Sequence, residues 1–349
     1  MAADKRPNHR VLIAAGGTGG HVFPALAIAE ELRRMNAEVC WLGCGGIETR
    51  EAPACGLPLL LVPFRPPAGV SGAWRLLVAV WRARRLLQSW RPTVILAMGS
   101  YAALPGALAG RLLGVPLVLH EQNAIAGRAN KLLQKLACRI FTGFPTSLPG
   151  GEWVGNPTRL DFGRVAQEKA TAGPLHLLIL GGSQGAQALN EMVPAALGLT
   201  AAEFIIAHQC GRGRRAETVA AYQKAGCHAE VVEFMNDVAR RMAAADLVIC
   251  RAGAATLAEL AVCGTPALLV PYPFAAANHQ LANAEFFARR GAAYLREQKE
   301  LSPTWLADFL PTLSRAALMT MRRQMLMLAR PEAAAQVAAG CLEKAYHAA

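Results

Sequence analysis

Two glycine-rich turns are the first candidates for chemistry. Gly16-Gly17-Thr18-Gly19-Gly20-His21 follows an apolar run at 11–15, and Gly181-Gly182-Ser183-Gln184-Gly185 follows another at 177–180. A glycine turn between a strand and a helix lets backbone approach a phosphate, and the helix start adds N–H groups and a partial positive charge. Each turn can hold a diphosphate; the competing use is tight strand–helix packing, and the duplication favours binding. His21 stands at the first helix start, where an imidazole with an ordinary pKa suits a proton acceptor near neutral pH or a simple hydrogen-bonding group. His120 and Glu121 end another strand of the same half, so a second basic group lies near, and Glu121 is an alternative base with His21 positioning it. Ser183 fits both a phosphate contact and an ordinary N-cap. Arg251, before Ala252-Gly253-Ala254-Ala255-Thr256, offers a fixed cation to a leaving phosphate or a structural ion pair. Gln280 and Asn283 are three apart on a predicted helix, and neutral amides both donate to and accept from ligand hydroxyls.

Several nucleotide classes drop out. The first turn lacks the third glycine of G-x-G-x-x-G, and the strand at 38–42 ends in Leu42-Gly43-Cys44 with no acidic ribose ligand, which disfavours a nicotinamide dinucleotide. No G-x-x-x-x-G-K-[ST] occurs, and a nucleotide-sugar diphosphate remains. Acidic residues are sparse near both turns and no D-x-D pair is present, so no metal site and no cofactor are expected.

These residues require a scaffold that ends strands in turns. Apolar strand-like runs at 11–15, 38–42, 57–62, 93–97 and 116–120 alternate with amphipathic helical stretches, and the pattern repeats at 175–180, 203–207, 229–232, 246–250 and 266–270. Such alternation predicts an α/β fold of two Rossmann-like domains with parallel sheets, and 349 residues exceed what one core comfortably serves. The linker falls near Val154-Gly155-Asn156-Pro157-Thr158-Arg159, and a last helix over roughly 332–347 can cross back to the first half.

Composition narrows the setting. With 53% apolar and 17% charged residues, the chain buries a large core. Nine cysteines without a C-x-x-C pair read as buried thiols in a reducing compartment. No signal peptide precedes the first apolar run, and 102–119, the most membrane-like stretch, is broken by Pro105, Arg111 and Pro116. The net charge of +12 is concentrated in the first half, with 17 basic against 7 acidic residues up to position 150 and 19 against 17 beyond it. Such asymmetry points to an anionic surface, nucleic acid or membrane. Between 73 and 90, Trp74, Leu77, Val78 and Trp81 interleave with Arg75, Arg82, Arg84 and Arg85, a basic amphipathic helix suited to lipid; a core-packed helix with a solvated arginine face is the competing reading.

The segment Gly16 to Ala27 resembles the N-terminal signature of the MurG family, UDP-N-acetylglucosamine transferases that convert lipid I to lipid II in peptidoglycan synthesis. His120-Glu121-Gln122-Asn123 with Asn130-Lys131, Val154-Gly155-Asn156-Pro157 with Arg159, Gly181 to Ala186 with Asn190, the block Asp246 to Pro271, and Asn278-His279-Gln280 with Asn283 fit the same family in the same order. The resemblance implies a GT-B fold whose two domains face a central cleft: 1–157, with 333–349 packed back on it, for the acceptor and membrane, and 158–332 for UDP-GlcNAc. It implies His21, Glu121 and His120 as catalytic residues. Gly16, Gly17, Tyr101 and Asn130 fall on the acceptor side. Donor contacts are expected from Thr18, Gly19, Gly20, Asn123, Arg159, Ser183, Met235, Arg251, Ala254, Ala255, Thr256, Leu257, Ala258, Glu259, Gln280 and Asn283. Within that set Glu259 is placed for the ribose hydroxyls, and Arg159 and the Met235 backbone for the uracil. Implied partners are UDP-GlcNAc, lipid I, the anionic cytoplasmic membrane surface and other cell-wall synthesis proteins, with no nucleic acid. The segments 64–69 and 98–105 depart from the family's usual glycine-rich turns on the acceptor side. Two other readings are a UDP-GlcNAc 2-epimerase and a basic nucleic-acid-binding protein.

Overall fold

In the first strand, Arg10–Ala14 (β1), Val11 and Ile13 join one apolar cluster while Leu12 and Ala14 join another, and all four are completely buried. A strand apolar on both faces needs cover on both, which parallel sheets obtain from helices. The computed structural model of the protein describes residues 9–65, 69–145, 147–159, 162, 172–182 and 185–346. The chain divides into two compact units, Met1–Arg159 with Arg330–Ala349, and Leu160–Ala329.

The first unit holds β1 with β2 (Glu38–Gly43), β3 (Leu59–Leu61), β4 (Val94–Ala97), β5 (Leu117–Glu121), β6 (Arg139–Thr142) and β7 (Glu152–Trp153). They pair in parallel in the order β3-β2-β1-β4-β5-β6-β7. Its helices are α1 (Gly19–Arg34), α2 (Glu48–Ala54), α3 (Gly69–Trp90), α4 (Ala103–Leu112) and α5 (Arg128–Leu133). On one face Val11, Ile13, Trp41 and Leu96 pack under α1 and the C-terminal helix Ala333–Tyr346, which contributes Val337, Ala338 and Cys341. On the other, Leu12, Ala14, Ile95 and Leu119 pack under α3 and α4. The stretch 102–119 thus becomes α4 and the start of β5. Among the described residues no helix is long and apolar enough to cross a membrane.

The second unit repeats the plan with β8 (Leu175–Leu180), β9 (Phe204–Gln209), β10 (Glu230–Val232), β11 (Leu247–Cys250), β12 (Ala267–Leu269) and β13 (Ala293–Leu295), parallel in the order β10-β9-β8-β11-β12-β13. Strands β6, β7 and β13 lie outside the ten expected runs, and each is only partly buried. In each sheet the unit's first strand lies centrally, with its successor on one side and a later strand on the other. Strand order reverses there, and the carboxyl ends of the flanking strands leave a crevice that ligands use. Both glycine turns leave from that point.

α3 is apolar on two sides. Ala79, Val80, Ala83 and Leu87 are buried against the sheet, yet Trp74 is 68%, Leu77 62% and Trp81 53% exposed. The core-packed reading accounts for the first set and leaves the second uncovered within the unit.

Candidate functional site

The side chains expected to act in the first unit gather at the carboxyl ends of β1, β4 and β5. His21 sits on the first turn of α1, whose N-cap Thr18 accepts the His21 backbone N–H through its carbonyl. The imidazole Nδ1 lies 3.0 Å from the Met98 carbonyl and 3.1 Å from Gln122 Oε1. Gln122 is oriented by its own Nε2, which donates to Met98 O at 2.9 Å, so its oxygen is the atom that faces His21. Both neighbours of Nδ1 are therefore acceptors, and Nδ1 must carry the hydrogen. The lone pair is left on Nε2, the arrangement a proton acceptor requires.

His120 and Glu121, expected beside His21, are held in interior hydrogen bonds. His120 is 0% exposed; its Nε2 donates to the Gly155 carbonyl, its Nδ1 has no hydrogen-bond partner among the described residues, and burial lowers its pKa to about 4. It is a neutral interior imidazole. Glu121 is also buried, and its oxygens accept from the Asn123 backbone and side chain, the Gly127 backbone and Asn130 Nδ2. A carboxylate so occupied shapes the loop after β5. Asn130, expected beside the acceptor, is buried and bonded to Glu121 and the His120 carbonyl. All five positions of β5 are buried, so both adjacent side chains lie in the interior and not on an open face.

Thr18 and Gly20 are exposed at the start of α1, with Gly19 and Tyr101 half-buried beside them. Gly16 is buried, and the Gly17 N–H donates to Glu48 Oε2 at 3.1 Å, so this amide is already engaged within the unit. Asn123 is half-buried next to Glu121, and Arg159, half-buried, is the last residue before the second unit.

In the second unit the turn after β8 needs glycine at Gly182 and Gly185, where φ is +74° and +75°, and a Cβ at Gly185 would meet the Cys210 carbonyl at 2.4 Å. Ser183 lies outside the described residues. The helix Ala254–Cys263 begins at Gly253 with no side-chain cap and no acidic residue in its first turn, leaving the N–H groups of Ala254, Ala255 and Thr256 as an uncovered positive end. Leu257 is buried, so only its backbone can meet a ligand, whereas Ala258 and Glu259 are half-buried.

Arg251 precedes that helix. Its Nη1 donates to the carbonyls of Val270 and Pro271, its Nη2 to Gln298 Oε1 at 2.6 Å, and its guanidinium lies 5.6 Å from the Tyr272 ring centre. These partners are all neutral, so they aim the cation without cancelling its charge. Burial lowers its pKa from the ordinary arginine value. Gln298 was missed in the sequence because it lies in a short 3-10 turn 47 positions away.

Gln280 accepts the Tyr272 N–H at 2.9 Å and is half-buried at the start of the helix His279–Ala288. Asn283, expected to share that polar face, is fully buried and donates to the Ala252 carbonyl, so it braces the loop before the helix Ala254–Cys263. Met235 is buried, with its backbone N–H 3.3 Å from Gln209 Oε1, a second residue not singled out beforehand.

Residues 11–142 match the glycosyltransferase family 28 N-terminal domain, and residues 176–337 match the glycosyltransferase family 28 C-terminal domain. A protein of Ralstonia nicotianae is 45% identical over 354 residues, spanning 96% of both chains. One of Albidiferax ferrireducens is 44% identical over 353 residues, 95% of this chain and 90% of its own. Both are named UDP-N-acetylglucosamine--N-acetylmuramyl-(pentapeptide) pyrophosphoryl-undecaprenol N-acetylglucosamine transferase. The crystal structure of Acinetobacter baumannii MurG matches with a TM-score of 0.84 at 36% identity over 96% of this chain and 99% of that one. The calicheamicin glycosyltransferase CalG4 matches at 0.68 with 16% identity, a likeness of fold.

Proposed function

The chain belongs to glycosyltransferase family 28, and from that premise we propose that it moves N-acetylglucosamine from UDP-GlcNAc to the 4-hydroxyl of MurNAc in undecaprenyl-diphospho-MurNAc-pentapeptide, turning lipid I into lipid II. The observation that carries this reading is agreement through both halves of the chain with transferases of that name. The reaction is a single inverting displacement. The acceptor oxygen forms a bond to the anomeric carbon as the bond from that carbon to the diphosphate breaks, and UDP leaves with the electron pair.

His21 is the group we assign to the acceptor proton, because its Nδ1–H is held by Met98 and Gln122 and its lone pair is on Nε2. Glu121, with donors on both oxygens, supports the loop instead. Negative charge grows on the departing diphosphate, and the amides that open the helix Ala254–Cys263, with Arg251, are oriented before reaction to receive it. Glu259 one turn on is assigned to the ribose, and Gln280 to the donor sugar.

The acceptor is lipid-linked, and α3 offers tryptophans ringed by Arg75, Arg82, Arg84 and Arg85, with the Arg85 guanidinium 4.1 Å from the Trp81 ring centre. That combination suits a peripheral position on the anionic cytoplasmic face of the membrane.

The deciding assay measures UDP release from UDP-GlcNAc with and without a lipid I analogue. Release that depends on the analogue is expected; an epimerase would isomerise the donor with no acceptor, and that outcome would overturn the reading.

A further inference from the structure

Glu48 is 0% exposed, yet the chemistry assigned so far does not use it. Its Oε1 accepts the backbone N–H groups of Cys44, Gly45 and Gly46 at 2.9, 3.0 and 2.8 Å, and its Oε2 accepts that of Gly17 at 3.1 Å. One oxygen thus closes the turn from β2 to α2, and the other ties that turn to the glycine turn after β1.

A second observation shows that the surroundings are built for this carboxylate. Gly16, Gly43 and Gly46 have no left-handed φ, so backbone conformation does not require glycine there. Space does. A Cβ on Gly16 would meet Glu48 Oε1 at 2.7 Å, one on Gly43 would meet its Cγ at 2.5 Å, and one on Gly46 would meet its Oε2 at 2.5 Å and the Gly17 nitrogen at 2.8 Å. Three side chains are missing where Glu48 sits. Burial pushes its pKa upward, but the bonds from Gly46, Glu48 itself, Cys44 and Gly17 bring it below the ordinary value, so it stays a carboxylate.

We propose that Glu48 is a positioning residue for transfer: it occupies the first glycine turn as an internal anion, fixing Gly17 and hence the entry of α1 that presents His21. The proposal rests on the reading of His21 as the proton acceptor. It follows that the Gly17 amide serves the protein's own carboxylate and not the acceptor's diphosphate, leaving the exposed Thr18 to Gly20 face for substrate. It also explains why the acid beyond β2 is no ribose ligand: both of its oxygens face backbone amides.

Glu48→Gln separates the two ties. The amide oxygen can keep the three turn N–H groups, while the new NH2 faces the Gly17 N–H and releases it. Full-length enzyme is expected to lose turnover roughly 10- to 100-fold. The KM for UDP-GlcNAc should stay within about twofold, since the leaving-group contacts belong to the other unit. Hydrogen exchange should quicken in the peptide covering 16–22 and not in β8. Glu48→Ala vacates the same site, and added formate, a carboxylate small enough to enter, should restore part of its turnover. Wild-type turnover in Glu48→Gln with unchanged exchange at 16–22 would overturn the proposal, as would equal loss in both variants with no response to formate. Wild-type enzyme that releases no UDP with the lipid I analogue would instead defeat the transferase reading, and the exchange result would still judge the role of Glu48.

Discussion

His21 Nδ1 and Gln122 Oε1 lie 3.1 Å apart, although 101 positions separate them in the chain. The contact decides the tautomer of the imidazole, because the carboxamide is turned by its own bond to Met98 and shows His21 only an acceptor. A histidine at a helix start thereby becomes a group with a defined basic nitrogen.

Gln122→Leu removes that acceptor while keeping most of the volume. Turnover at saturating substrates should fall roughly tenfold, the worth of one buried hydrogen bond, with little change in donor KM. His21→Ala should cost more, about 10²- to 10⁴-fold. Steady-state kinetics with a lipid I analogue ranks the two, and a larger loss in Gln122→Leu than in His21→Ala would contradict the assignment.

Arg251 should matter more to the transition state than to donor binding, since diphosphate charge increases as UDP departs. We expect Arg251→Ala to lower turnover by about 10²- to 10³-fold, comparable to removing an oxyanion donor. Arg251→Lys keeps the charge but not the fork that reaches Val270, Pro271 and Gln298, so it should recover only part of the rate. Full activity in Arg251→Lys would show that charge alone suffices.

Acid should destabilise the protein through two buried histidines. Burial lowers His120 from 6.5 to about 4 and His208 from 6.5 to about 3. Between those values the unfolded chain binds the proton and the folded one does not, so stability is complete above pH 6.5 and declines as pH falls. For His120 the loss by pH 4 is on the order of 3 kcal/mol. His208 bridges the Tyr222 hydroxyl and Asn190 Oδ1, which fixes its neutral form. Thermal unfolding between pH 7 and 4 should show a steep fall in Tm, and His208→Gln, less stable at pH 7, should show a shallower one.

Trp74→Ala/Trp81→Ala should weaken flotation with anionic liposomes while leaving turnover on a water-soluble acceptor unchanged. Both tryptophans are exposed, so their loss removes little packing. Equal flotation of the double variant and wild type would sink the membrane role of α3.

The amino-acid order alone determined the strands that carry the sites, because a buried parallel strand leaves a continuous apolar run and a glycine turn leaves a cluster no other element needs. It placed His21, Arg251 and both phosphate-type turns at strand ends, since those are local patterns. It did not distinguish His21 from His120: the two share a side chain and differ in which way the backbone turns it, outward from a helix start or into the interior from β5. Nor could it pair Glu48 with Gly17 across 31 positions, or Arg251 with Gln298 across 47, because such contacts depend on how loops from separate strands meet at one edge of a sheet. An acid beyond β2 was invisible as a partner until folding brought it to three glycines. Local chemistry is written along the chain, whereas burial, tautomer and hydrogen-bond partner are set by neighbours that only the packed sheet supplies.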